Sequence, residues 1–224
     1  MTAWEVLWRC GISELPVDLG QVCRRLGLGL YSYTQGYELL RRYNLAKHVH
    51  GADGFLFREE DGPLAAIFYR PEQSQGRRCF TIAHEIGHFA LGHCPAGGNT
   101  VRRSEADKDS PQERAADRFA SQLLAPSCVL RGLGLRTPFA IGQRCRLSLR
   151  AAEVCASRME RLLELDAQYM AERGRSYFFR SPWEWRIYQQ FEPFIRSTAP
   201  RHPDRASHQA PCAAPPSAPW CTSA

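Results

Sequence analysis

The sequence predicts an α+β protein in which amphipathic helices dominate and a few short β-type runs cluster between residues 28 and 70. Three observations carry this. The 224 residues are 44% hydrophobic, enough to fill a core, yet no apolar run approaches the ~20 residues that span a bilayer. Apolar residues recur at helical spacing in several separate segments. Two short β-type runs, Gly54 to Arg58 and Leu64 to Arg70, flank Glu-Glu-Asp-Gly-Pro, and an Asp-Gly between such runs marks a hairpin.

In chain order, Pro16 to Leu26 places Val17, Leu19, Val22, Cys23 and Leu26 on one helical face, with Asp18 as cap. Leu28 to Tyr33 reads as a strand, Tyr37 to Lys47 as a helix, and the hairpin follows. Phe80 to Gly92 is helical. A polar stretch, Pro95 to Asp109, leads to a helix from Pro111 to Leu124 that ends at Ala-Pro. Two further helices are expected at Pro138 to Cys145 and Ser148 to Leu165. Tyr177 to Phe194 holds eight of the 24 aromatic residues, which favours a segment pinned to the core by large rings over an aromatic docking face. The Pro- and Ala-rich stretch 197–224 is too poor in aliphatic residues to offset ordering and reads as a disordered tail.

Composition narrows the function. The start MTAWEVLWRC has no basic region followed by an apolar stretch, and no membrane span is present, so a cytoplasmic location is expected. Nine cysteines form no CxxC pair, which argues against zinc ribbons and redox pairs and for free thiols. Net charge is +6, and 27 of the 29 basic residues are arginine, but they are scattered rather than clustered. Charge alone does not make a nucleic-acid binder.

The chemistry sits in FTIAHEIGHFALGH. His84 and His88 are four residues apart, so on a helix they share a face about 6 Å apart and their rings can converge on one cation. Glu85 lies one residue further round, beside that point, where a general base reaches a water activated by the metal. With 7 histidines and 15 glutamates, HExxH is expected ~0.015 times by chance. A hydrolytic zinc takes a third protein ligand. His93 misses the HExxHxxGxxH register, because Leu91 and Cys94 stand where glycine and histidine are needed. Glu113 in PQERAADRFASQLLAP is preferred, with Asp117 one turn on to hold the free N–H of a ligand histidine. Ser110-Pro-Gln-Glu113 also fits a helix cap, and Glu105 and Asp109 are alternative ligands.

FTIAHEIGHFALGH followed by ERAADRFASQLLAP resembles the ImmA/IrrE family of metallopeptidases, with Ala115 where a second glutamate is common and Asp117 in place of the more frequent asparagine. The likeness extends through VDLGQVCRRLGLGLYSY, GADGFLF and RCRLSLRAAEVCASRM, roughly Pro16 to Leu165. It implies a minimal zincin-like domain, a small antiparallel sheet packed on helices, with one zinc ion per chain held by His84, His88 and Glu113. Leu64 to Arg70 would be the edge strand along which an extended peptide pairs. Tyr69 and His93 are the candidates for stabilising the oxyanion. The implied substrate is a separate helix-turn-helix repressor. The expected organisation is a metallopeptidase domain over 1–130, a helical extension over 131–196, and the tail.

A competing reading comes from Ala140 to Met159, which has a helix, turn, helix layout with Arg144, Arg146, Arg150 and Arg158 available to phosphate. The protein would then regulate by binding DNA or a repressor, its metal site structural or vestigial. Against this, Leu149, Ala152, Cys155, Met159 and Leu162 make an apolar stripe that needs covering.

Overall fold

Two serines set the start of the helices that matter most. Ser74 accepts the N–H of Arg77 and opens one helix; Ser110 accepts the N–H of Glu113, with Pro111 at the first position, and opens another. Each such cap is worth about 1 kcal/mol. The computed structural model describes residues 1–100, 110–179 and 181–199. Its elements are α1 (Ala3–Arg9), α2 (Leu19–Leu26), β1 (Gly29–Ser32), α3 (Tyr37–Arg42), β2 (Gly54–Arg58), β3 (Ala65–Tyr69), α4 (Gln75–Leu91), α5 (Pro111–Leu124), α6 (Ser127–Leu133), α7 (Pro138–Cys145), α8 (Leu149–Arg173) and α9 (Pro182–Thr198). The α+β class is borne out.

The sheet runs β1-β3-β2. β2 and β3 pair antiparallel, Gly54 opposite Tyr69 and Arg58 opposite Ala65, as their short connection requires. β1 pairs with β3 in parallel, Gly29 opposite Ala66, so the sheet is mixed rather than wholly antiparallel. The long connection through α3 and β2 gives the chain room for that crossover. β3 is therefore the central strand, which corrects its expected place at the edge. Ala66, Ile67 and Phe68 have no exposed surface, as a strand covered on both faces and both sides must.

Alternate residues of the hairpin feed two cores. Leu56 and Ile67 join Ile82, Ala83 and Ile86 of α4 in the main cluster. Phe55, Phe57, Ala66 and Phe68 face Tyr33, Leu40 and Leu45 on the other side. This period-two partition fixes the register and lays β2 against α4.

The C-terminal helices extend the main cluster. α8 begins at its Ser148 cap and runs to Arg173, eight residues beyond expectation, because no breaker intervenes before Gly174 with φ of 65°. Ile141, Cys145, Ala152, Cys155, Ala156 and Met159 are buried where α7 meets α8, whereas Leu149 is exposed and leaves the expected stripe. Arg158 is half-buried and donates to Ser121 Oγ and Ala125 O, so its guanidinium is already engaged within the fold. The aromatic segment is pinned: buried Asp166 accepts from Arg131, Ser176 Oγ and the Tyr177 N–H. The Arg131 guanidinium lies 5.1 Å from the Phe178 ring centre, and α9 packs on α1 and α6. Helix α9 includes Ser197 and Thr198, the first residues assigned to the tail; 200–224 lie outside the described residues. The seven described cysteines are all free, and six are buried. Among the described residues, no helix is long and apolar enough to cross a membrane.

Candidate metal centre

Helices α4 and α5 meet at a glycine. A Cβ on Gly87 would lie 3.1 Å from Phe119 Cδ1 and 3.2 Å from the Ala116 carbonyl oxygen, so a bare α-carbon lets the two helices approach this closely. The approach carries Glu113, in the first turn of α5, to the two histidines. Gly92, with φ of 75°, ends α4 one residue after Leu91.

His84 Nε2 lies 3.1 Å from Glu113 Oε2, and His88 Nε2 lies 3.2 Å from Glu113 Oε1. The two Nε2 atoms are 3.0 Å apart. All three side chains are buried, and one donor atom from each falls within 4.8 Å of the others. Two ligand atoms at ~2.05 Å from a tetrahedral ion stand ~3.3 Å apart, so this donor set and its spacing fit a small divalent metal such as zinc. The cap at Ser110 and the approach to the histidines are compatible: the Glu113 N–H serves the first and its carboxylate the second. Glu105 and Asp109, the alternative ligands, lie outside the described residues.

The remote ring nitrogens also have partners. His84 Nδ1 is 2.8 Å from Asp117 Oδ1, and His88 Nδ1 is 3.2 Å from His93 Nδ1. Such contacts fix ring orientation and tautomer. His93 thus backs a histidine of the cluster, a relationship visible only once α4 ends and the chain turns. Tyr69, the other oxyanion candidate, ends β3, partly buried against the main core.

The charges are arranged as a proton-sharing cluster. Burial disfavours a charged His84 ring, but hydrogen bonds to Asp117 and Glu113 outweigh it and push its pKa up to about 9. Burial likewise opposes a charged Glu113, yet the two histidines hold its carboxyl well below the usual carboxylate range. His93 is lowered, by burial and then by His88.

Glu85 points toward β2. Its Oε2 accepts the Leu56 N–H at 3.0 Å and the Thr100 hydroxyl at 2.5 Å. Burial raises its pKa, against the pull of both histidines and the Thr100 hydroxyl. A carboxylate of raised basicity beside a His-His-Glu donor set is equipped to take a proton from water. Thr100 lay in a stretch read only as polar loop; a three-residue strip, 98–100, pairs along β2 and delivers it.

Residues 45–152, just under half of the chain, match the family model described as an IrrE N-terminal-like domain, Peptidase_M78. The match covers the hairpin, α4, α5 and the start of α8, a narrower span than Pro16 to Leu165. A search of curated proteins finds no match.

Proposed function

We propose, since residues 45–152 match the IrrE N-terminal-like family of peptidases, that the protein is a zinc-dependent metalloendopeptidase. The observation that carries this is the Glu113 carboxylate, whose two oxygens meet the Nε2 atoms of both HExxH histidines in a buried site. His84, His88 and Glu113 are the residues that hold the metal, one ion per chain. Asp117 orients His84 through Nδ1. A zinc ion bound there would supply Lewis acidity, polarising the scissile carbonyl and acidifying a water.

Glu85 supplies the proton chemistry. With Oε2 held by two donors, Oε1 takes the proton of the attacking water and hands it to the leaving amine. Burial of Glu85 keeps bulk water from competing for that proton. The substrate class is a protein, and the family resemblance favours a separate helix-turn-helix repressor in the cytoplasm. In the competing DNA-binding reading, Arg158, one of its four phosphate candidates, is already engaged by Ser121 Oγ and Ala125 O.

The test pairs elemental analysis with cleavage. Wild type should carry about one zinc per chain and Glu113→Ala far less. Incubation with candidate helix-turn-helix repressors should give one defined cut by mass spectrometry, with casein untouched. Zinc-free wild type after reconstitution would remove the metallopeptidase assignment; ready casein digestion would remove the dedicated substrate.

A further inference from the structure

We infer that Thr100 is a positioning residue for Glu85: its hydroxyl clamps one carboxylate oxygen and so selects the other for proton transfer. The inference rests on the metallopeptidase reading and extends it to a residue outside the HExxH and Glu113 motifs. The geometry is specific. Thr100 Oγ1 accepts the Leu56 N–H at 2.8 Å and donates to Glu85 Oε2 at 2.5 Å. The same Leu56 N–H reaches the same Oε2 at 3.0 Å, so amide, hydroxyl and carboxylate close a three-membered network. Hydrogen bonds involving an ionised acceptor are short and strong, and this one lies in a water-poor site.

The hydroxyl is held in place by backbone, not by chance rotamers. The Thr100 N–H donates to Leu56 O at 3.0 Å, the Arg58 N–H donates to Gly98 O at 3.0 Å, and Asn99 bridges Phe57 in antiparallel fashion. The strip 98–100 therefore continues the sheet beyond β2 on the side facing Glu85. Because Leu56 also anchors this corner in the main core with Ile82 and Ile86 of α4, strand and base-bearing helix are locked together. No hydrogen bond from the described residues reaches Glu85 Oε1. A carboxylate with both donors on one oxygen has its unshared lone pairs, and hence its basicity, on the other. Without Thr100 the carboxylate would keep one tether and gain rotational freedom about its last torsion, which is broad for Glu.

The experiment compares Thr100→Val, which keeps the shape and removes the hydroxyl, with Thr100→Ser, which restores it. Two readouts are taken on the full chain. In metal-free protein, exchange of the Leu56 amide proton is followed by NMR; it should quicken by up to about tenfold in Thr100→Val and return in Thr100→Ser, the scale of one neutral hydrogen bond. In zinc-loaded protein, cleavage of the helix-turn-helix repressor that wild type cuts should show kcat down about 10–100-fold in Thr100→Val with KM within about twofold, and near wild type in Thr100→Ser, a fraction of what a general base contributes. Zinc content should be equal in all three.

Unchanged amide exchange and unchanged kcat in Thr100→Val would overturn the clamp. So would equal losses in Val and Ser variants, which would mean that threonine matters for packing alone. A KM rise with kcat intact would make Thr100 a substrate contact instead. Should zinc-loaded wild type cleave none of the candidate repressors, the metallopeptidase reading fails, and unaltered amide exchange in Thr100→Val separately removes the clamp.

Discussion

Asp117 Oδ1 lies 2.8 Å from Nδ1 of His84, while Nε2 of the same ring faces Glu113. One helix, α5, thus grips the ring from both nitrogens with carboxylates four residues apart. The Asp117 side chain is about half exposed, so its effect works through ring orientation and basicity rather than through buried charge. Asp117→Ala should lower zinc affinity about 10–100-fold, measured by chelator competition. Asp117→Asn keeps an acceptor and should lose less. Equal affinities across all three proteins would return Asp117 to an ordinary helix surface.

Glu85 is adjacent to a proposed ligand but its carboxylate points to Leu56 and Thr100. Replacement by glutamine preserves size and the acceptor for the Leu56 N–H while removing the base. Glu85→Gln should therefore bind zinc as wild type does and lose peptide hydrolysis by about 10²–10⁴-fold. Retained cleavage would exclude Glu85 as the base, and lost zinc would show that it serves the metal instead.

His84 and Glu113 give the metal-free protein a defined pH response. The pKa of His84 rises from 6.5 in the open chain to about 9 when folded, so protonated His84 contributes its full stability below pH ~6.5, and that contribution is lost as pH climbs through about 9. Glu113 is depressed below 4.5, so its contribution is present above that pH and fades as pH falls through its folded value. These two contributions are together fullest between roughly pH 4.5 and 6.5, and that of His84 falls by about 3 kcal/mol by pH 9, several degrees of melting temperature. Glu113→Gln should flatten that alkaline slope. Zinc binding at pH 7.5 should release about one proton, read by calorimetry in buffers of different ionisation enthalpy.

Each half of the candidate metal cluster was readable because its spacing is local: four residues place His84 over His88, and four place Glu113 over Asp117, whereas the meeting of the two halves depends on α4 packing against α5 at Gly87. The helix caps at Ser110 and Ser148 and the Asp-Gly hairpin are local for the same reason. Helix α1 carries an equally local signal in Thr2 and Glu5, which cap it reciprocally. Strand order was not local. Nothing between Leu64 and Arg70 says that β1 returns alongside β3, although the unbroken burial of Ala66, Ile67 and Phe68 is what a central strand shows. Thr100 and Leu56 were the least accessible, since their meeting with Glu85 depends on a loop strip pairing with a strand 44 residues earlier. Arg158 misled because an arginine in a helix, turn, helix pattern looks solvated until Ser121 and Ala125 are brought beneath it.

Gly87, between the two ligand candidates of α4, sets a contest between helix propensity and packing. Alanine is about 1 kcal/mol better than glycine inside a helix, and at an open site Gly87→Ala would stabilise. Here the added methyl meets Phe119 Cδ1 at 3.1 Å, Ala116 O at 3.2 Å and Ala116 Cα at 3.3 Å. Two of the three are backbone atoms of α5, which cannot swing aside as a side chain would. Overpacking of this kind costs about 1–3 kcal/mol, so the propensity gain is offset or exceeded. The movement that relieves the clash carries α5 away from α4, and Glu113 moves with it. Gly87→Ala should thus change the melting temperature of metal-free protein by only a few degrees while lowering zinc affinity at least about tenfold, because ligand geometry tolerates less than packing does. Unchanged affinity with raised stability would show that α5 yields without displacing Glu113, and that the glycine is no part of what builds the site.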